Sequence, residues 1–562
     1  MRIFWIKIFF LFFFFTLYAR LFYWQVIRAE YLQAQAEGQH FTDIIKVGAL
    51  RGNIFFADGS ILASIVPFFS LFGQPRLIAE DQKLSTGYLL AKILVDDTDQ
   101  VDSLAKDFIN KISQDLDWVS LKRGISYEKR KQIDSLNLAG IGFEQGSGRF
   151  YPEGSSSAHI LGFVGGDNKG YFGLEGFYDG ELKGVSGTLR HEKDAFGLPI
   201  LIGNFFNSNA KNGKDLVLNI DRSVQFIVEQ NIKAGLEKYG AKAGSVVVMD
   251  PSTGAILALA SFPNYDPQKY FNFPKEYYKN PLVADQYEPG STFKVLVMSA
   301  VLNEDLVKPD TVCDKCFGPI SIGGFLIRTW NGKYYPDTTL KDVIIHSDNT
   351  GMVFVGQRLG LDKFYSYLEN YGFGQPTKID LQDESAPDIK PKNEWREIDL
   401  ATASFGQGIA VTPIQMVRAV SAIANGGNLM EPHIVRLIRD DSGTFEIKPK
   451  IIRQVIKNST AQTIKEMMVA AVDLGEAKFA KPKGFKIAGK TGTAQIPVAG
   501  HYDPDKTIAS FVGFAPADNP KFVMLVQYDQ PSSSVYGSET AAPTFFEIAK
   551  QLFAYYKIAP TE

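Results

Sequence analysis

One short segment combines residue types and a spacing suited to nucleophilic catalysis. Ser291 follows a Glu-Pro-Gly tripeptide, and Lys294 lies three residues further on, at the start of the apolar run 295–302. A proline and a glycine just before such a run predict the first turn of a helix. The positive end of a helix dipole stabilises an alkoxide or a nearby oxyanion, and residues three apart share one helix face. We therefore expect the Lys294 amine to approach the Ser291 hydroxyl and, if burial and nearby cations make it neutral, to act as its base.

The spacing Ser-x-x-Lys is a weak signal by itself. It occurs three more times, at Ser103–Lys106, Ser126–Lys129 and Ser208–Lys211. A solvent-exposed serine and lysine on one helix face is the ordinary meaning of such a pair. The Ser291 copy therefore needs support from other parts of the chain.

Two further motifs supply that support. Ser347-Asp348-Asn349 follows the apolar run 343–345, and Lys490-Thr491-Gly492-Thr493 lies in the strand-like segment 485–496. Together they offer a hydroxyl and an amide to relay protons and hold substrate, and a cationic edge strand to bind a carboxylate. Gly492 allows a substrate backbone to approach that strand closely. Ser-x-x-Lys, Ser-Asp-Asn and Lys-Thr-Gly in this order are the signature of penicillin-binding proteins and class A β-lactamases.

The elements that must position these motifs are strands from both ends of one region, with helices between them. Segments 244–261 and 507–529 each predict a β-hairpin. Helical patterns are expected at 221–239, 292–302, 361–371, 413–424, 460–474 and 539–556. This arrangement predicts an α+β fold over residues 216–562, with an antiparallel β-sheet covered by helices.

The amino-terminal part contains a membrane segment and a region without catalytic groups. Residues 1–28 predict a cytoplasmic tail and an uncleaved signal anchor that spans about 4–26, with Trp5 and Trp24 near the two interfaces. A cleavable signal peptide is the alternative. Residues 29–215 mix short strands and helices, including a hairpin at 51–65, and predict a structural or partner-docking module.

Composition excludes several classes of function. The chain has 562 residues and a net charge of −3, so nothing indicates nucleic-acid binding. Its two cysteines and six scattered histidines predict neither a disulfide scaffold nor a metal site. Cys313 and Cys316 form either a local disulfide or two free thiols, and His346 and His501 are expected to be structural.

The amino-acid sequences of many segments, over nearly the full length of the chain, resemble those of the class B penicillin-binding proteins. These are monofunctional peptidoglycan D,D-transpeptidases. The segments that carry the resemblance are 19–36, 51–63, 149–165, 173–187, 246–267, 285–294, 346–351, 405–416 and 488–495. Residues 287–294 and the tail 536–560 resemble the septal, division-type branch more than the elongation branch. Asp348 departs from that branch, in which many members carry serine or another residue at this place.

The resemblance implies a penicillin-binding transpeptidase fold, preceded by an elongated mixed α/β pedestal and a single transmembrane helix. It implies that Ser291 attacks the penultimate D-Ala carbonyl of a stem pentapeptide and that Lys294 takes its proton, helped by Ser347 and Asn349. The substrate carboxylate would be bound by the Lys490 motif, with Thr493 assisting. An acceptor amine would then resolve the acyl-enzyme, and β-lactams would form a long-lived adduct. No cofactor is implied.

The resemblance also implies where the protein acts and with what. The expected location is the cytoplasmic membrane, crossed once, with the catalytic domain on the extracytoplasmic side. A membrane glycosyltransferase and division proteins are the expected partners, contacted through the anchor and the pedestal.

Three other functions remain to be weighed. Residues 484–491 match the P-loop pattern of nucleotide-binding proteins, but glycine, threonine and proline follow too soon for the helix that a P-loop must open. A β-lactamase or β-lactam sensor is disfavoured because no Glu-x-x-Leu-Asn occurs between Ser347 and Lys490. A scaffold without activity is disfavoured by the intact Ser291, Lys294 and Lys490.

Overall fold

The structure is a computed structural model, and it describes residues 2–40, 45–95, 97–191, 205–498 and 501–561. The chain divides into two compact units. The first comprises Met1–Arg51 and Lys183–Gly213, and the second comprises Gly52–Leu182 and Lys214–Glu562.

The helices fall in both units and are numbered in chain order. They are α1 (Arg2–Phe22), α2 (Ala29–His40), α3 (Glu80–Leu94), α4 (Val101–Ile112), α5 (Tyr127–Asp134), α6 (Ala158–Leu161), α7 (Gly173–Phe177), α8 (Asp179–Leu182), α9 (Arg222–Tyr239), α10 (Pro281–Ala284), α11 (Lys294–Asn303), α12 (Leu340–Ile345), α13 (Asn349–Leu359), α14 (Leu361–Tyr371), α15 (Glu397–Ala403), α16 (Pro413–Ala424), α17 (Asn458–Leu474) and α18 (Ala541–Tyr555).

The strands are numbered in the same way. They are β1 (Ile45–Val47), β2 (Ile54–Phe55), β3 (Ile61–Gly73), β4 (Val119–Ile125), β5 (Ile141–Phe150), β6 (Phe163–Val164), β7 (Gly170–Tyr171), β8 (Gly187–His191), β9 (Phe205–Ser208), β10 (Asp215–Leu218), β11 (Ala243–Met249), β12 (Ile256–Phe262), β13 (Ile320–Ile322), β14 (Phe325–Ile327), β15 (Asn428–Met430), β16 (Val435–Asp440), β17 (Gly443–Glu446), β18 (Ile451–Gln454), β19 (Ala488–Val498), β20 (His501–Ala515) and β21 (Phe522–Asp529).

The first unit contains the expected apolar helix. α1 and the short π-helical turn Tyr23–Ile27 form one helical stretch, Arg2–Ile27, that is long and apolar enough to cross a membrane. No other helix of the described residues meets that test. The same unit contains a small antiparallel sheet in the order β1-β8-β9.

The second unit contains the sheet that the sequence predicts. Its order is β12-β11-β21-β20-β19, and every neighbouring pair is antiparallel. The hairpins predicted at 244–261 and 507–529 are confirmed as β11–β12 and β20–β21. The catalytic region therefore draws its strands from both of its ends, and β19 lies at an open edge.

Helices cover both faces of this sheet, as residue alternation along its strands requires. Val246 and Val248 of β11 pack with α9 and α18, whereas Val247 and Met249 belong to the larger core with α11, α16 and α17. Every residue of α11 from Lys294 to Leu302 is buried. A helix that is apolar all round belongs inside a protein, and here it fixes the position of the turn before it.

A second sheet combines strands that are distant in sequence. Its order is β17-β16-β10-β2-β3-β4, with β5 also paired to β3. The predicted hairpin at 51–65 is confirmed by the pairing of Ile54 with Ala63, with Gly59 at a φ of +87° in its turn. The sheet includes strands on both sides of position 215, where the sequence predicts a domain boundary.

Candidate active site

Ser291 lies in a tight turn that leads directly into α11. The turn is a 3-10 helix, Gly290–Phe293, and the α-helix begins only at Lys294. Gly290 has a φ of +55°, a conformation that favours glycine. The serine thus precedes the α-helix rather than occupying its first turn, which refines the sequence prediction. It still lies at the amino-terminal end of α11, with its side chain at the wall of a cavity.

Lys294 is fully buried behind the nucleophile. Its Nζ lies 2.6 Å from the Ser347 carbonyl oxygen, 2.7 Å from Asn349 Oδ1 and 3.3 Å from Ser347 Oγ. A buried amine must have hydrogen-bond partners, and these acceptors come from the second motif. The structure therefore brings the first and second motifs into direct contact.

Ser347 occupies the sharp connection between α12 and α13, and its φ is +56°. Positive φ is uncommon for a residue with a Cβ and tends to occur where the surrounding structure holds it for function. The preceding helix is fixed by a capping box between Thr339 and Asp342. The connection aims both the hydroxyl and the carbonyl of Ser347 at lysine side chains.

The two residues after Ser347 have different tasks. The Asp348 carboxylate caps α13 by accepting hydrogen bonds from Thr350 N, Thr350 Oγ1 and Gly351 N. Asn349 is the first residue of α13, and its amide nitrogen donates to the Arg328 carbonyl at 3.0 Å. That bond orients the amide oxygen toward Lys294.

Lys490 of the edge strand β19 reaches the same serine from the other side. Its Nζ lies 3.0 Å from Ser347 Oγ, and 3.2 Å from both the carbonyl oxygen and Oγ1 of Thr491. The Ser347 hydroxyl therefore lies between two lysine nitrogens. All three predicted motifs meet at this hydroxyl.

Close packing joins β19 to the nucleophile turn. A Cβ on Gly492 would lie 2.8 Å from Thr292 Cγ2 and 2.4 Å from Ser510 Oγ, so only glycine fits without a shift. Thr493 lies beside Gly290, and its hydroxyl accepts a hydrogen bond from Gly537 N at 3.1 Å. A glycine is therefore needed at position 492 because β19 packs closely against the protein itself. The sequence prediction attributed this glycine to close approach of a substrate, and that role stays a prediction.

Burial lowers the pKa of both lysines, and repulsion by Lys490 adds to the effect on Lys294. Burial lowers the pKa of Lys294 well below its ordinary value, and the positive charge of Lys490 lowers it further. The carboxylates of Asp348 and Glu476 act in the opposite direction. Burial lowers the pKa of Lys490 to about 8, opposed by Glu476. A neutral Lys294 beside a charged Lys490 is the state that acid–base catalysis at a serine requires.

The site opens into a cavity of about 320 Å³. Ser291, Ser347, Asn349, Thr491 and Thr493 all line it. Lys294, Lys490 and Gly492 lie behind that wall, and each is buried. Every site residue that the sequence predicts is therefore in one constellation.

Some residues of the cavity wall are not predicted by the sequence. Trp330 and Tyr536 form an edge-to-face pair with ring centroids 5.6 Å apart, and the Trp330 Nε1 donates to the His346 carbonyl. Gln407 and Glu476 also line the cavity. Gln407 and Tyr536 lie in segments that carry the family resemblance, but nothing in the sequence assigns them to the site, and Trp330 and Glu476 lie in irregular segments without periodicity.

His346 and the two cysteines near the site have structural surroundings. The His346 ring stacks on Tyr335, with centroids 4.9 Å apart. Cys313 and Cys316 form a disulfide, the first of the two states that the sequence left open. No cluster of metal-ligating side chains occurs in the part of the chain that the structure describes.

Comparisons with known proteins match both parts of the chain. Residues 244–551 match the model of the penicillin-binding protein transpeptidase domain, and residues 46–218 match that of the penicillin-binding protein dimerisation domain.

The chain is similar to several curated relatives. It is 36% identical to stage V sporulation protein D of Bacillus subtilis, over 91% of this chain and 79% of the relative. It is 30% identical to peptidoglycan D,D-transpeptidase FtsI of Escherichia coli, over 92% and 85%. Among solved structures it resembles penicillin-binding protein 3 of Mycobacterium tuberculosis complexed with aztreonam, with a TM-score of 0.72, 27% identity, and coverage of 92% of this chain and 98% of that one.

Proposed function

Because the chain belongs to the class B penicillin-binding proteins, with a dimerisation and a transpeptidase domain, we propose that it is a peptidoglycan D,D-transpeptidase of the septal type with Ser291 as its nucleophile. The observation that carries this proposal is the position of the Ser347 hydroxyl between Lys294 and Lys490, next to the cavity that Ser291 lines. The relatives named as D,D-transpeptidases support it.

Lys294 takes the proton from Ser291 in the first step. A neutral amine has two N–H groups and one lone pair, and the two shortest contacts, to Ser347 O and Asn349 Oδ1, use both N–H groups. The lone pair, whose neighbour is Ser347 Oγ at 3.3 Å, accepts the Ser291 proton. Ser291 Oγ then bonds to the penultimate D-Ala carbonyl carbon, the peptide C–N bond breaks, and the proton passes to the leaving D-Ala amine.

The charged Lys490 has a different role. Together with Thr491 and the Thr493 hydroxyl it binds the terminal carboxylate of the stem peptide, and Gly492 keeps β19 against the nucleophile turn. The backbone N–H groups of Ser291 and Thr493 form the oxyanion hole, whose donors are worth about 10²–10³-fold each. An acceptor amine completes the cycle by forming a new amide and releasing Ser291.

The amino-terminal helix is long and apolar enough to anchor the protein in a membrane, and the similarity to FtsI supports such an anchor. We propose that residues 1–28 are the tail and anchor, 29–215 the pedestal and 216–562 the transpeptidase domain, placed on the extracytoplasmic side. A membrane glycosyltransferase and division proteins are the proposed partners. Replacing residues 4–26 by an unrelated transmembrane helix tests this: loss of co-purified partners supports a contact through the anchor, and unchanged partners contradict it.

The activity is tested with the full-length chain in detergent. A thioester mimic of the donor's D-Ala–D-Ala end is supplied together with a D-amino acid amide as the acceptor. We expect the amide product to form and to disappear in Ser291→Ala. Hydrolysis alone, with rapid turnover of penicillin, would contradict transpeptidation and favour a β-lactamase.

A further inference from the structure

The catalytic cavity contains one acidic side chain that belongs to none of the three motifs. Glu476 comes two residues after the end of α17 and lines the same wall as Ser291 and Thr493. Of the described residues that line this cavity, Glu476 alone carries a charge. The residue before it is packed tightly, because a Cβ on Gly475 would lie 2.2 Å from the Ala471 carbonyl and 3.0 Å from the Ile345 carbonyl. The backbone that carries Glu476 is therefore packed closely against the end of α12, next to the second motif.

This carboxylate has an unused hydrogen-bonding position. Its Oε1 is buried and accepts no hydrogen bond from the described residues. Buried carboxylate oxygens are normally paired, because their desolvation is costly. Asp348, the other acid whose charge acts on Lys294, differs in this respect, since it accepts hydrogen bonds from Thr350 and Gly351. Helix capping thus occupies Asp348, whereas Oε1 of Glu476 lacks a donor among the described residues.

In the structure, neither catalytic lysine donates a hydrogen bond to Oε1 of Glu476. The neutral Lys294 uses both N–H groups on Ser347 O and Asn349 Oδ1. The charged Lys490 has three N–H groups and three acceptors, Ser347 Oγ, Thr491 O and Thr491 Oγ1. The negative charge of Glu476 nevertheless acts on both lysines and opposes the lowering of their pKa values by burial. It lies close enough to belong to the reaction centre without being paired to it.

The proposed reaction brings two substrate groups of opposite charge to this cavity. The donor presents a carboxylate, for which Lys490 is suited. The acceptor presents a primary amine, which is an ammonium ion at neutral pH. The charged Lys490 behind the cavity wall makes approach of a second cation unfavourable unless an anion offsets it. Glu476 is the anion on the wall.

From these contacts we propose that Glu476 binds the ammonium group of the acceptor peptide and positions it for attack on the acyl-enzyme. The inference rests on the proposed transpeptidase function and assigns its second substrate a binding residue. The ammonium loses one proton to solvent. The resulting amine forms the C–N bond, the ester C–O bond to Ser291 breaks, and the second amine proton passes to the Ser291 oxygen by way of Lys294.

The test measures how the acyl-enzyme divides between acceptors. The full-length chain reacts with the thioester donor, and its acyl-enzyme is offered water, a D-amino acid amide (an ammonium ion at neutral pH) or hydroxylamine (uncharged at neutral pH). In Glu476→Gln, which keeps the side-chain size, we expect the KM for the amide acceptor to rise about ten-fold, the loss typical of a hydrogen bond to a charged group. Reaction with water and hydroxylamine stays unchanged. Glu476→Asp recovers part of the amide reaction.

Two controls separate the possible causes. Glu466→Gln removes the same charge from an exposed position of α17 and is expected to change nothing. Each variant is assayed at the pH optimum of its own acylation by penicillin, so that a shifted lysine pKa is not mistaken for lost acceptor binding. Equal loss with all acceptors, or no loss with the amide, would overturn the inference while leaving the transpeptidase proposal intact. Failure of the unmodified chain to form any amide product would instead count against the proposed function.

Discussion

Two segments of this chain contain the same Ser-x-x-Lys spacing at the start of a helix, and only one lies in a catalytic site. Ser126 is the exposed N-cap of α5, where its hydroxyl accepts a hydrogen bond from Lys129 N. Ser291 immediately precedes α11, whose first residue, Lys294, is fully buried. The same four-residue pattern therefore caps a helix in one place and, in the proposed mechanism, supplies acid–base chemistry in the other.

The surroundings of the lysine make the difference. α5 is a polar helix with one buried residue, Ile133. The apolar sequence of α11 takes Lys294 into the core, where Ser347 and Asn349 are its partners and Lys490 is its charged neighbour. Burial and a second cation lower the pKa of a lysine, whereas a solvated lysine keeps its proton. In the proposed site, the reactivity of Lys294 therefore depends on residues from segments that are remote in sequence.

The largest difference between the two segments is expected in the acylation rate when the lysine of each is replaced. Lys294→Gln removes the base, and we expect acylation by penicillin to slow by about 10²–10⁴-fold, the usual contribution of general base catalysis. Lys129→Gln should leave the rate unchanged. Stopped-flow measurement of acylation checks both. Equal rates in the two variants would mean that burial of Lys294 is irrelevant to its chemistry.

Replacement of Ser347 tests whether the second motif makes Lys294 reactive. Ser347→Ala removes the hydroxyl shared by Lys294 and Lys490. We expect acylation to slow by about 10- to 100-fold, as for loss of a hydrogen bond to a charged group. Ser103→Ala, at an exposed position of another copy of the spacing, is the control. An unaltered rate in Ser347→Ala would show that the two lysines act without this hydroxyl.

The pH dependence should reveal Lys490, the buried charged neighbour of Lys294. Lys490 binds a carboxylate only when protonated, and its pKa is lowered to about 8. Binding is therefore present below that pH and lost above it, so kcat/KM for the thioester donor should fall about ten-fold per pH unit on the alkaline side. Lys490→Gln should abolish this limb. A constant kcat/KM up to pH 10 would contradict the assigned role.

The smallest effect is expected at the capping serine. Ser126→Ala removes the N-cap of α5 and should lower the free energy of unfolding by about 1 kcal/mol, the usual value for such a cap. Acylation should not change. Thermal and denaturant unfolding of the full-length chain measure the first quantity, and penicillin labelling measures the second. A loss of labelling in Ser126→Ala would mean that this copy also contributes to activity.

Local signals explain what the sequence predicted well. The bounds of α14 and α16 match the predicted segments 361–371 and 413–424. Glycines flank the first, and a threonine cap with a following proline begins the second. The two hairpins of the catalytic sheet follow from alternation and from turn residues. The three motifs in this order are the signature of a known class of proteins, and that signature indicated that their residues act together.

The features that were not predicted depend on contacts between remote segments. The positive φ of Ser347 and the use of Gly492 for packing against Thr292 have no sequence signature. Glu476 and Trp330 enter the cavity from irregular segments. The 3-10 turn at Ser291 replaces the expected α-helical start because the turn must fit against β19. Such details are set by tertiary packing.

The most direct test of the account is to map the site of acylation across all four Ser-x-x-Lys copies. The full-length chain is labelled with a fluorescent penicillin, and its peptides are analysed by mass spectrometry over time. We predict one slowly decaying adduct, on the peptide that contains Ser291, and none on the peptides of Ser103, Ser126 or Ser208. An adduct at another serine, or rapid turnover without an adduct, would contradict the assignment of Ser291 as a transpeptidase nucleophile.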